Sequence, residues 1–302
     1  MRRSTWYGRD ISLQVRMALT MLLLTAVYLI FATVLFRFTR LGPLIFFIPL
    51  VGLFIQYWFS DKIVLGSVGA RVVEAQQAPE LYSIVQRLAQ QSDLPMPRVA
   101  LMNSPMPNAF ATGRNQKHAV VCVTTGLMSQ LPPAELEAVL AHEMTHIRNR
   151  DMTVMSMAGS FAAVAAYVVQ MGFWFGMIGG GGGRDNNRDG GGISFIAVIL
   201  ISLVVSVISQ ILVSTLSRYR EFAADRGSAI LTGAPEQLEA ALLRISGTMQ
   251  RIPSRDLREA QPLSALYFAS PAKVVGGLFA DHPTVEKRIE RLQQLSQNMA
   301  AR

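Results

Sequence analysis

Four long stretches without a charged side chain limit what this chain can fold into. Residues 17–36 and 41–60 form two such runs of 20 residues each. A third covers residues 152–183, and a fourth, after Asp189, has its dense apolar core at residues 193–216. About 20 residues of helix are enough to cross the hydrocarbon core of a bilayer. The first, second and fourth runs are therefore read as membrane spans. The third is rich in Ala, Gly and Ser, so it fits either a span or a buried helix of a soluble domain. The first run exceeds the 7–15 apolar residues of a signal peptide and no A-x-A-like site follows it, which makes it an uncleaved anchor.

Composition agrees with this division. Of the 302 residues 51% are hydrophobic and only 16% are charged, against about 25% charged in ordinary soluble domains. The charge deficit is confined to the runs, so the segments between them are ordinary water-soluble sequence. Arg2, Arg3, Arg9 and Arg16 face Asp10 alone at the N-terminus. The glycine-rich loop between runs three and four balances Arg184 and Arg188 with Asp185 and Asp189. By the positive-inside rule the N-terminus is cytoplasmic, although Arg37 and Arg40 pull the other way. Four spans then divide the chain into residues 1–60 (two N-terminal membrane helices), 61–151 and 217–302 (two cytoplasmic parts of one catalytic unit) and 152–216 (a membrane hairpin). The net charge of +8 is spread along the chain rather than clustered with aromatics, so no nucleic-acid partner is expected. No G-x-x-x-x-G-K-[ST] phosphate loop occurs, so no ATP is expected either. Cys122 is the single cysteine; it excludes an internal disulfide and reads as a small buried apolar residue.

The soluble parts predict a small sheet and several helices. Residues 98–102 and 119–123 read as short strands, with 108–113 a plausible third. Helices are expected over 80–92, from Pro132 through the motif described next, and over 218–231, 235–249 and 283–298.

The chemistry sits in His142-Glu143-Met144-Thr145-His146. Two of the four histidines fall in this pentapeptide. Four apart on a helix, they face one way and can hold one metal ion, while Glu143 can take the proton of a water that the metal activates. A catalytic zinc wants a third protein ligand. The metzincin option is closed, because Asn149 and Met152 stand where that pattern needs glycine and histidine. A carboxylate on a later helix remains, and Arg220-Glu221-Phe222-Ala223-Ala224-Asp225 fits best. Glu221 and Asp225 share a helix face; Glu221 could ligate while Asp225 accepts the second N–H of a zinc histidine. The same spacing also suits two solvated acids flanked by Arg220 and Arg226.

Together with Asn108-Ala109-Phe110-Ala111-Thr112-Gly113 and Asp281-His282-Pro283-Thr284-Val285-Glu286-Lys287-Arg288-Ile289, these segments resemble the bacterial HtpX proteases, stress-linked relatives of the CAAX prenyl endopeptidases. The resemblance covers nearly the whole chain, including the order of the apolar runs. It implies a mainly α fold with a small β-sheet (α+β), a gluzincin-like metalloprotease domain combined with about four transmembrane helices. It implies one Zn2+ per chain held by His142, His146 and Glu221, with Glu143 as general base. It offers His282 and Asn108 as groups that meet the developing oxyanion, although one could equally start a helix and the other end a turn. Arg288 is expected either to pair with an acid near the site or to form an exposed salt bridge. The substrates it implies are damaged or misassembled membrane proteins, cut without ATP on the cytoplasmic side of the inner membrane. An exposed edge at 108–113 would receive them as an added strand. A prenyl-peptide endopeptidase and a catalytically inactive membrane scaffold are the competing readings.

Run three begins about 9 Å of helix after His146, and Glu221 lies about 8 Å after run four. The metal is therefore expected just above the membrane surface, between the two ends of the hairpin.

Overall fold

A computed structural model describes residues 11–38, 51–52, 54–179, 191–249 and 282–301. Most of these residues are helical. The N-terminal run forms α1 (Ile11–Phe38). The second run falls largely outside the described residues; after it come α2 (Ser60–Val68) and β1 (Arg71–Val73). Next are α3 (Pro79–Gln91), β2 (Arg98–Met102), β3 (Ala109–Thr112), a 3-10 turn (Gln116–His118) and β4 (Val120–Thr124). The remaining helices are α4 (Thr125–Gln130), α5 (Pro133–Arg148), α6 (Asp151–Gly179), α7 (Gly191–Thr232), α8 (Pro235–Met249) and α9 (Val285–Ala300).

Among the described residues two helices, not about four, are long and apolar enough to cross a membrane: Gln14–Thr33 and Ile199–Thr232. Run three does fold as a single helix, α6, but small residues fill its first half. The glycine-rich loop at 180–190 lies outside the described residues, as do Asp281 and the segment 250–280.

The sheet is small and mixed, with strand order β1-β2-β4-β3. β2 and β4 run parallel, and β1 and β3 flank them antiparallel. β4 is buried at all five positions (Val120 to Thr124), which explains its unbroken apolar sequence. Cys122 lies there with no exposed surface, and burial pushes its thiol up to about 12, so it is an inert core residue as expected. β3 is left as an edge. Gly113, at the end of β3, has φ +123, and a Cβ there would collide with the His118 backbone. The chain can turn so tightly there only with glycine.

α5 is the axis around which the sheet, α3, α7 and α8 pack. Pro133 opens it, where a missing N–H costs nothing, and it is buried from Leu136 through Ile147 apart from Glu137. One side meets α3 and the sheet through Val85, Leu88, Val121 and Val139; the other meets α8 through Leu238, Leu242 and Ile245. Two contacts bring α7 onto α5. Gly227 lies so close to Thr145 that a Cβ would overlap its side chain, and Ser228 Oγ donates to the Ala138 carbonyl at 2.6 Å. Arg244 of α8 adds a bidentate pair to Glu135 at 2.9 Å per bond. The second half of α7, past Leu216, is thus not free helix: it lies against the helix that carries the histidines.

Candidate metal centre

His142 and His146 lie one turn apart on α5, both buried, with their Nε2 atoms 3.0 Å apart. Glu221, on α7, brings Oε1 to 3.4 Å from His146 Nε2 and Oε2 to 3.5 Å from His142 Nε2. One ligand atom from each residue lies within 4.8 Å of the other two, close enough to hold a metal ion together.

The outer nitrogens decide which atoms point inward. His142 Nδ1 is 3.0 Å from Asp225 Oδ1, and His146 Nδ1 is 2.6 Å from Asp151 Oδ2. A carboxylate there holds the proton on Nδ1, so each Nε2 turns a lone pair toward Glu221 and the other histidine. Two lone pairs at 3.0 Å repel unless a cation or a proton lies between them. The electrostatics of the cluster agree. Burial alone would push the pKa of His142 down, yet the hydrogen bonds to Asp225 and Glu221 outweigh it and raise it to about 9. The donors present therefore fit a bound cation.

Glu143 points from the same helix but belongs to another environment. Burial raises its pKa above the ordinary carboxylate range, against the pull of His142 and His146, and the Ala111 N–H of β3 donates to it. The edge strand and Glu143 are therefore neighbours.

Asp225 is also held from α9. Arg288 donates Nε to Asp225 Oδ2 at 2.9 Å and Nη2 to Oδ1 at 2.6 Å. Its Nη1 is 3.7 Å from Glu221 Oε2. Only 1% of Arg288 is exposed, which decides between the two expectations for it: it pairs with an acid of the site, not with solvent. Burying a guanidinium is tolerable because the planar fork matches a carboxylate in two bonds.

His282 sits at the same centre, its Nδ1 3.4 Å from Glu221 Oε2. Asn108 is buried immediately before β3, with its backbone locked to Thr124: its N–H donates to Oγ1 at 2.9 Å and its carbonyl accepts from the Thr124 N–H at 2.9 Å. Sequence reasoning overlooked Asp151. The available signal was an acid five residues past the second histidine, just after the left-handed break at Arg150 (φ +57).

Two neighbouring histidines on one helix, completed by a glutamate from another and accompanied by a buried second glutamate, are the side chains that a metallopeptidase site calls for. The comparisons agree. The family model described as Peptidase family M48 matches residues 75–296. The "Protease HtpX homolog" of Moorella thermoacetica is 52% identical over 300 residues, covering 98% of both chains. "Protease HtpX homolog 2" of Methanosarcina mazei is 48% identical over 299 residues, covering 97% of this chain and 99% of its own. The chain belongs to peptidase family M48, among the HtpX homologues, and is a metalloendopeptidase. The crystal structure of S. mikatae Ste24p shares the fold, with a TM-score of 0.52 at 19% identity; the match covers 94% of this chain and 66% of that one.

Proposed function

We propose that this chain is a multi-pass zinc endopeptidase of the bacterial cytoplasmic membrane that cuts misfolded or damaged membrane proteins from the cytoplasmic side without ATP. His142, His146 and Glu221 hold the metal. Asp225 and Arg288 set the angle of His142. The observation that carries the reading is the convergence of these three residues around one point, with Glu143 and edge strand β3 beside it. Two imidazoles and one carboxylate suit Zn2+, and three protein ligands leave the fourth position that a catalytic site needs. When bound, the ion acidifies water and polarises a carbonyl.

The protein's own residues supply the rest. β3 is the end strand of the sheet but is buried at three of its four residues, rather than exposed as expected for 108–113. An extended substrate that reached it would pair through backbone bonds, so its sequence would matter little. Glu143, with its raised proton affinity, takes a proton from the attacking water and passes it to the leaving amine. His282 and Asn108 stand at the oxygen of the scissile carbonyl; proximity of His282 to Glu221 supports the first of these assignments.

Membrane embedding is supported by the surface of the apolar helices. Only 17% of the apolar window in α1 and 28% of that in α7 is buried. Leu19, Leu22, Leu29 and Ile30 on α1, with Leu200, Val204 and Val207 on α7, face outward. A core helix of a soluble protein would bury them; outward-facing residues of this kind suit lipid. The cytoplasmic orientation rests on the N-terminal arginines.

Glu143→Gln is the direct test. The purified variant is expected to retain zinc and to cleave casein about 10²–10⁴-fold more slowly, the contribution of a positioned base. Cleavage at the wild-type rate would rule out Glu143 in this role. The same inactive variant, expressed in membranes, should retain its substrates for identification; recovery of only soluble proteins would refute the membrane-protein substrate class.

A further inference from the structure

We infer that Asp151 is a positioning residue for the metal centre: it sets the angle and tautomer of His146, and Arg220 holds it in place. The inference rests on the reading of His146 as a metal ligand. Asp151 is the first residue of α6, where an acid ordinarily serves the helix by accepting N–H groups of the first turn. That ordinary role does not describe this side chain. Only 1% of the residue is exposed, and its Oδ1 is buried without a hydrogen-bond partner. Its Oδ2 is committed to His146 Nδ1 at 2.6 Å, the shortest contact either histidine makes in the cluster. An acid stabilising its own helix would not leave one oxygen unpaired and give the other to a different helix. Such a buried, half-satisfied carboxylate costs stability. Holding His146 in place is what the contact gains.

Arg220 is the countercharge. Its Nε lies 3.3 Å from Asp151 Oδ2 without the alignment of a hydrogen bond, so it neutralises the carboxylate and leaves the oxygen free for His146. Each histidine of the cluster therefore has its own acid and arginine. His142 is held by Asp225 with Arg288 of α9, and His146 by Asp151 with Arg220. The two arrangements differ in where they are anchored. Asp151 opens α6 and Arg220 precedes Glu221 on α7, so the second arrangement joins the roots of the two long apolar helices. Any sliding of α6 against α7 would turn the His146 ring as well as move Glu221.

The experiment compares the full-length wild type with Asp151→Ala, Asp151→Asn and Arg220→Met in detergent. Zinc affinity is read by competition with a chromophoric chelator, the ligand field by the visible spectrum of the Co2+-loaded protein, and folding by thermal unfolding of the metal-free protein. Asp151→Ala should bind zinc about 10–100-fold more weakly, the range for loss of an outer carboxylate, with an altered Co2+ spectrum and little change in metal-free unfolding. Asp151→Asn retains an acceptor oxygen and should recover part of the affinity; Arg220→Met should lose less than Asp151→Ala. Wild-type affinity and spectrum in Asp151→Ala would overturn the inference, as would lower metal-free stability with unchanged affinity, which marks a purely structural acid. If Asp151→Ala does not fold, the Asn and Met variants decide by the same criteria. A wild type that binds no zinc would instead refute the ligand assignment, and this inference with it.

Discussion

His142 and Glu143 are adjacent on one buried helix, yet burial acts on them in opposite senses. It discourages the charged form of each: it presses the imidazole toward neutrality and the carboxyl toward protonation. At His142 two carboxylates reverse the effect, and at Glu143 the histidines oppose it without cancelling it. The site therefore attracts a cation at the histidines and retains a proton acceptor of raised basicity beside them. Glu221 closes the cluster from a second helix. Glu221→Ala should weaken zinc binding by more than the roughly 10–100-fold expected for loss of an outer carboxylate, because a ligand itself is gone. Full zinc occupancy with unchanged activity would exclude Glu221 as a ligand. At this scale helical period put the two histidines on one face and made Glu221 with Asp225 a candidate pair, while the choice of Glu221 over two solvated acids came from the resemblance to the HtpX proteases. Arg288 was open between two roles, since nothing in its spacing says that α9 folds over α7. Asp151 was unseen because its contact depends on the break at Asn149 and Arg150, a local backbone turn rather than a periodic pattern.

Between elements, the pairing of α5 with α7 matters most. It juxtaposes His142 and His146 with Glu221, although 75 residues separate His146 from Glu221 in the sequence. Gly227 against Thr145 sets the spacing, and Ser228 with Ala138 sets the register. Gly227→Ala should push the helices apart at the cost of about 1–3 kcal/mol, as overpacking of a tight interface does. Thermal unfolding checks this, and adding Thr145→Ala should recover part of the loss because the two changes share one contact. An unaltered melting temperature in the single variant would contradict the close approach. Strands β2 and β4 were readable from their apolar runs, and β3 as a plausible third strand from its place between them. β1, a three-residue strand bordering the sheet, carried no such signal. Neither did α4, one and a half turns capped by the Thr124 hydroxyl. Short elements form because neighbours pair with them, and sequence periodicity needs more residues than they have.

Across the whole molecule, apolar helices and metal centre are one assembly. The helix that supplies Glu221 is 42 residues long, about 63 Å at 1.5 Å per residue, and only its first part is needed to span a bilayer. The rest continues beyond the apolar stretch, where α5, α8 and α9 pack around it. The orientation of this assembly can be checked in a Cys122→Ala background with single cysteines introduced as Asn186→Cys and Asn298→Cys. A membrane-impermeant maleimide added to intact spheroplasts should label the first and spare the second; the reverse pattern would invert the topology. Chemistry was legible before the fold, because a metal site and an apolar span each need particular residues at fixed spacing: histidines at i and i+4, and about 20 uncharged residues in a row. The sequence alone thus established a metallopeptidase motif among apolar helices. It could not say that Arg288 is buried, that Asp151 belongs to His146, or that one glycine lets α7 reach α5. Those facts depend on which surfaces pack together, and packing is settled by contacts between residues far apart in the chain, where no local period exists to reveal them.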